Sequence, residues 1–198
     1  MESRKNLIFD VGGVVIFIKQ IDFARLDKKF NLRAGMLKSI IRICSKQVVV
    51  NRNFSERHFF EKRFSHLLNW QDYHQVLLKW FATEKLNRWL IRWIERNREN
   101  YRIILLTNNT ARLKWRLEKK FKVAHHFDHV FNSANLGVRK PDPKIFKHLL
   151  KRAGAKARDC LFVDDKIENI KTARKLGFKT IWFKNNQQFL TQFKKLEF

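Results

Sequence analysis

The chain has 198 residues, 44% hydrophobic and 14% aromatic, enough to bury a core in one large domain or in one domain carrying an insert. Only 6 Gly and 2 Pro are present, which excludes a collagenous or Pro-rich chain, and two cysteines, Cys44 and Cys160, do not make a disulfide framework. The formal charge of +25 is spread as +6, +4, +8 and +7 over residues 1–50, 51–100, 101–150 and 151–198, which excludes a basic tail or a separate basic domain.

In chain order, Met1-Glu2-Ser3-Arg4-Lys5-Asn6 runs straight into an apolar stretch with Asp10 in its middle and no small-residue cleavage site, so no secretory leader is expected. Asn6 to Asp10 (NLIFD) reads as a buried strand closed by a turn at Gly12-Gly13. Residues 18 to 98 differ in character: they show helical periodicity, many Phe and Trp, and one glycine, Gly35. This stretch is expected to be a helical bundle packed by its aromatics, some of which could line a substrate pocket. From Arg102 the pattern changes again. RIILLT is a short apolar run, and Asn108-Asn109-Thr110 is expected to open a helix through about Lys120. His129 to Phe131 reads as a strand. Asp142-Pro143 has the form of an N-cap followed by proline at the first helical position, with Gly154 as the stop. Cys160 to Asp164 (CLFVD) and Lys179 to Phe183 (KTIWF) are further strands, separated by a helix over Ile167–Leu176, and a short helix ends the chain.

Apolar strands alternating with helices imply an α/β fold, a parallel sheet covered on both faces. Ligands of such sheets bind at the carboxyl ends of the strands. The polar residues that close the strands are Asp10, Thr107 and Asp164-Asp165, and Lys140 lies in a loop just past another strand. They are expected to meet in one crevice. Several carboxylates, a hydroxyl and an ammonium suit phosphoryl transfer: the carboxylates hold a hard cation such as Mg²⁺, and the cation, Lys140 and Thr107 share the phosphate charge. One carboxylate can also attack phosphorus, and Asp10, beside the glycine turn, is the candidate nucleophile.

Four segments carry a resemblance: IFDVGGVV at Asp10, IILLTNNT at Thr107, NLGVRKPDPKIF at Lys140 and LFVDDKIENI at Asp164 and Asp165. In this order and spacing they resemble the motifs of the haloacid dehalogenase (HAD) superfamily of phosphatases, the branch (subfamily IA) with a helical cap after the first strand. The resemblance implies a Rossmann-like core over residues 1–17 and 99–198 and a helical cap over 18–98. It also implies a Mg²⁺-dependent phosphatase acting on a small phosphorylated metabolite, such as a sugar phosphate, through an aspartyl-phosphate. The implied roles are Asp10 as nucleophile and metal ligand, the Gly12 carbonyl and Asp165 as further ligands, and Asp164 as an inner or outer ligand oriented by Lys140. Thr107 and the Asn108 backbone would hold phosphate, Lys140 would neutralise it, and Asn169 matches a frequent supporting position.

One position departs from the pattern. The family's usual second aspartate, two residues after the nucleophile, is Gly12 here. That carboxylate protonates the leaving oxygen and activates water, help worth roughly 10²–10⁴-fold. A glycine at this place is similar to a branch resembling α-D-glucose-1-phosphate phosphatase. Gly12 and the +25 charge therefore keep an alternative open, a catalytically weak relative that binds a phosphorylated ligand, a protein or nucleic acid. A cytoplasmic location is expected from the cysteine usage and from the lack of any run of about 18 apolar residues. His125, His126, Asp128 and His129 are expected to take a surface or loop-packing role rather than bind metal, and Cys160 is expected to be a core thiol.

Overall fold

Short apolar runs closed by polar residues or glycines bury both faces only as strands of a parallel sheet with helices on either side. The computed structural model describes residues 4–51, 53–196 and 198; Met1, Glu2 and Ser3, part of the stretch read above for a leader, lie outside the described residues. The strands are β1 (Lys5–Phe9), β2 (Ile16–Phe17), β3 (Lys85–Leu86), β4 (Tyr101–Thr107), β5 (His129–Asn132), β6 (Cys160–Asp164) and β7 (Lys179–Trp182). Five of them form one parallel sheet in the order β5-β4-β1-β6-β7. The first strand in the chain is thus the central one. Phe9 aligns with Leu105 of β4 on one side and with Val163 of β6 on the other. Asp10, Thr107 and Asp164 are consequently brought to the same edge from positions far apart in the chain.

The strands alternate their side chains between two cores. Leu7, Phe9, Leu105 and Val163 face one side, where they pack with α5 (Arg88–Asn97) and with Phe189 of α10 (Asn186–Lys195). Ile8, Ile104, Leu106 and Phe162 face the other, against α8 (Pro143–Ala153) and α9 (Ile167–Lys175). The start and stop signals read from sequence operate in α8: Asp142 accepts a hydrogen bond from the Lys144 N–H, Pro143 follows it, and Gly154 ends the helix in the left-handed region.

A third apolar cluster lies in the insert, formed by α1 (Phe23–Lys29), α2 (Met36–Val48), α3 (Glu56–Phe64) and α4 (Trp70–Ala82). Its centre holds Leu37, Ile40, Cys44, Phe60 and Tyr73, with the Phe60 and Tyr73 rings stacked at 4.3 Å. The insert is tied at its neck by the antiparallel pair β2–β3, in which Ile16 opposes Leu86 and Phe17 opposes Lys85. Buried Asn87 reinforces this neck: its N–H donates to the Val15 carbonyl, its side-chain amide donates to the Val14 carbonyl, and its Oδ1 caps α5.

Two expectations change. The helical insert expected over 18–98 is shorter, because α5 buries Leu90, Ile91 and Ile94 against the sheet and is a core helix. An amphipathic helix carries no sequence mark of which of two neighbouring cores it covers. The helix expected from Asn108 to about Lys120 is instead a loop, a short α6 (Leu113–Trp115) and a π-helical turn over Arg116–Lys120. Two short elements carry no signal in the sequence, α7 (Ser133–Leu136), between β5 and the Lys140 loop, and the 3₁₀ turn Ala124–His126, before β5.

Candidate active site

Asp10 follows β1 directly, and its N–H still donates to the Val163 carbonyl of β6. The chain then turns sharply: the Val14, Val15 and Ile16 amides all donate to the Val11 carbonyl, and Gly13 donates to Ile16. The two glycines of this turn have different reasons. Gly13 has φ of 81°, and a Cβ there would lie 2.5 Å from Asp165 Oδ2, so the turn and the carboxylate share one space. Gly12 has no positive φ, and a Cβ built on it meets nothing within 4 Å. Only Gly13 is demanded by the backbone and by a neighbouring side chain.

Lys140 is 1% exposed, a buried cation between two buried carboxylates. Its ammonium lies 2.8 Å from Asp10 Oδ1 and 2.6 Å from Asp164 Oδ2, and it donates to the Leu106 carbonyl at 2.7 Å. Its backbone is clamped by Asn108, whose side-chain amide donates to the Lys140 carbonyl and whose Oδ1 accepts from the Lys140 N–H, both at 2.8 Å. The Asn108 side chain is therefore engaged in placing Lys140, which leaves its backbone for a ligand. Burial alone would draw the Lys140 ammonium down, but Asp10 and Asp164 outweigh it and hold the group above the usual lysine range.

The two adjacent aspartates have opposite surroundings. Asp164 is fully buried and saturated: Oδ1 accepts from the Lys166 N–H and from Asn169, and Oδ2 accepts from Lys140 and from Asn169. Asp165 Oδ1 is buried with no hydrogen-bond partner. Burial, and then the charges of Asp10 and Asp164, push the Asp165 carboxyl up to about 6. One oxygen from each of Asp10, Asp164 and Asp165 can be chosen so that all lie within 4.8 Å of one another; this is the one such acidic or His/Cys group among the described residues. Three clustered carboxylates, one with an orphaned oxygen, fit a hard divalent cation bound through oxygen. Thr107, 1% exposed, lines the same crevice of about 370 Å³ with Gly12, Gly13, Asn108 and Asn109.

Asp10, Gly12, Thr107, Asn108, Lys140, Asp165 and Asn169 are thus brought to one crevice, and Asp164 lies buried behind it against Lys140. Sequence reasoning missed the supports behind it. Asn132, at the end of β5, accepts from the Asn109 N–H and donates to the Thr110 carbonyl, bracing the loop after β4. Arg116 donates to Asn109 Oδ1 at 2.9 Å and to Glu84 at 2.6 Å, and Lys120 joins the same glutamate at 3.0 Å. This links the neck of the insert to the loop that follows Thr107. Asn132 and Glu84 are single polar letters whose partners lie 22 to 36 positions away, which leaves no local signal. His126 is buried beside His125, Asp128 accepts from the Ile103 N–H at 2.7 Å, and no metal-ligating group includes them among the described residues. Cys160 sits in the core beneath the sheet, where burial pushes its thiol up to about 12.

Comparisons with known proteins agree with this geometry. The family model described as haloacid dehalogenase-like hydrolase matches residues 5–177. The glyceraldehyde 3-phosphate phosphatase of Pyrococcus abyssi is 36% identical over 85 residues, 42% of this chain and 36% of that protein. The D-ribitol-5-phosphate phosphatase of Bacteroides thetaiotaomicron is 27% identical over 191 residues, 89% of this chain and 90% of that protein. A HAD-family enzyme from Bacteroides thetaiotaomicron, crystallised with magnesium and inorganic phosphate, shares the fold at a TM-score of 0.72 with 24% identity, over 92% of this chain and 95% of that one. The chain spans about a third of the length of the first curated relatives it matches, 36% and 37%. No helix among the described residues is long and apolar enough to cross a membrane. With the family model covering four of the five sheet strands and all four motif segments, the chain belongs to the haloacid dehalogenase-like hydrolases.

Proposed function

We propose that the chain is a Mg²⁺-dependent phosphatase that hydrolyses the phosphate monoester of a small metabolite through an aspartyl-phosphate on Asp10. The observation that carries this reading is the convergence of Asp10, Asp164 and Asp165 within 4.8 Å on a crevice that also holds the buried Lys140 ammonium. A carboxylate of Asp10 attacks phosphorus and the ester P–O bond breaks; the leaving oxygen takes its proton from solvent. Water then attacks the phosphorus of the acyl phosphate, which releases inorganic phosphate and restores Asp10.

Lys140 offsets negative charge as it passes from Asp10 to the phosphoryl group, and its fixed place means that no reorganisation is needed at that moment. The Thr107 hydroxyl and the Asn108 N–H donate to phosphate oxygens. Asp10, the Gly12 carbonyl and Asp165 would hold the cation, and the saturated Asp164 would serve chiefly to orient Lys140 and the turn to Lys166. A bound Mg²⁺ supplies further neutralisation of phosphate charge. The named phosphatases among the relatives support ester hydrolysis, and the magnesium and phosphate in the Bacteroides enzyme support the cation. The helical insert acts as a cap over the substrate.

Gly12 leaves the departing oxygen without a side-chain acid, so turnover favours good leaving groups such as aryl and anomeric phosphates. The test is phosphate release from p-nitrophenyl phosphate and α-glucose 1-phosphate with Mg²⁺ and with chelator. Metal-dependent release from at least one of them, abolished by Asp10→Asn, is expected. No release across a broad phosphoester panel at saturating Mg²⁺ would refute the reading.

A further inference from the structure

A second cavity opens from the crevice. It measures about 1060 Å³ and shares Gly12, Ile18, Asn108 and Asn109 with the smaller space around Asp10 and Lys140. Ligand pockets run to about 300–1,000 Å³, so this volume is large for a triose or hexose phosphate. Its walls come from both the insert and the core, and the insert side is aromatic and aliphatic: Phe23, Phe54, Trp70, Leu77, Trp80 and Phe81 all line it.

Several polar groups on these walls are spent on the protein itself. Asp22 caps α1 through the Arg25 N–H, Ser55 caps α3 through the His58 N–H, and Glu56 accepts from the Tyr73 hydroxyl. Glu84 is taken by Arg116 and Lys120. Gln20, Lys38, Arg42, His74 and Arg112 also line the walls and keep donors for a ligand, but the carboxylates there, Asp22, Glu56 and Glu84, are each already engaged, so acceptors for the hydroxyls of a polyol are scarce. Apolar surface, by contrast, is left over. Ile18, Leu78 and Phe81, each more than a third exposed, are three of the nine large hydrophobic residues exposed among the described residues, and all three line this cavity; Phe17, equally exposed, lines the crevice. Unmatched apolar surface gathered at the mouth of a site marks what that site binds.

We infer that the substrate is an amphipathic phosphate monoester whose organic group is a large hydrocarbon, seated in this cavity while its phosphate lies against Asp10 and Lys140. The inference rests on the phosphatase reading for the ester, and on the cavity alone for the hydrocarbon. A sugar phosphate is the less favoured substrate, since its hydroxyls would lose water against the aromatic and aliphatic side of the cavity without replacing the hydrogen bonds.

The test is a homologous series of butyl, hexyl and octyl phosphate below their micellar concentrations, compared with glucose 6-phosphate, whose primary alkoxide leaving group matches theirs. Burial of each added methylene raises kcat/KM about threefold, so octyl exceeds butyl phosphate by on the order of 10²-fold. Leu78→Asp, a change at an exposed position, flattens that slope. Octylphosphonate, whose P–C bond is not cleaved by this chemistry, gives a second readout on the wild-type protein: calorimetry shows it binding on the order of 10²-fold more tightly than butylphosphonate. Chain-length-dependent binding without hydrolysis of any ester would sink the phosphatase reading and leave the hydrocarbon site standing. Equal affinities for the two phosphonates, or a higher kcat/KM for glucose 6-phosphate than for octyl phosphate, would overturn the inference.

Discussion

A carboxylate placed at position 12 increases turnover of substrates with poor leaving groups. The structure accommodates it: Gly12 lies outside the left-handed region, and a Cβ there has no heavy atom within 4 Å. The new side chain borders the crevice occupied by Asp10, Thr107 and Lys140, where the leaving oxygen must depart. General-acid assistance is worth roughly 10²–10⁴-fold, and it matters most where the departing oxygen is most basic. Gly12→Asp is therefore expected to raise kcat for alkyl phosphates by about 10²-fold or more while changing kcat for p-nitrophenyl phosphate far less. The assay is log kcat against leaving-group pKa for wild type and variant at saturating Mg²⁺, and the variant's line is the flatter. The neighbouring glycine supplies the contrast. Gly13→Ala puts a Cβ 2.5 Å from Asp165 Oδ2 at a φ of 81°, so it costs on the order of 1 kcal/mol or more in stability and disturbs the carboxylate cluster. A folded Gly12→Asp protein with intact Mg²⁺ dependence and parallel lines in that plot would refute the assignment of the missing acid to position 12.

Lys140→Met leaves Asp10 and Asp164 facing each other without their shared cation, and urea denaturation should show a loss of about 3–5 kcal/mol at neutral pH; a loss below about 1 kcal/mol would contradict the buried-pair account. Asp165, held up to about 6 by burial and by its two acidic neighbours, keeps a proton between its ordinary value of 3.8 and 6 that the unfolded chain releases, so its contribution to stability falls as pH rises through that window. The same proton competes with metal: calorimetry in buffers of different ionisation heat should show about one proton released per Mg²⁺ at pH 5 and close to none at pH 8, and no change in proton release would exclude Asp165 as a ligand. Glu84→Gln removes the charge that Arg116 and Lys120 share at a 4% exposed site, and thermal melts should report a loss of about 1–3 kcal/mol; an unchanged melt would show that the neck is held by β2–β3 and Asn87 alone.

Much of this was legible in the sequence because the sheet demands it. NLIF, RIILLT and CLFVD are short, apolar on both faces and closed by polar residues, and such runs have no other stable place than the middle of a parallel sheet. Once they pair in parallel, Asp10, Thr107 and Asp164 must lie together, whatever their separation in the chain. What was not legible depends on tertiary choice. The face of α5 with Leu90, Ile91 and Ile94 reads the same whether it covers the insert or the sheet. Gly12 and Gly13 are the same letter, and only the backbone reveals that one is obligatory and the other is free. The contrast between Asp164, with every oxygen engaged, and Asp165, with one orphaned, is set by Lys140, Asn169 and the Lys166 N–H; the resemblance points to Asn169 as a support, but adjacent identical letters do not say which of the two aspartates it holds.

The account stands most directly on the covalent intermediate at Asp10. Protein quenched during turnover and reduced with borohydride should carry homoserine in place of Asp10, found by mass spectrometry of the peptide spanning the turn at Gly13, with no such change in protein quenched without substrate. Continued metal-dependent phosphate release with Asp10 unmodified, or equal release by Asp10→Asn, would contradict it.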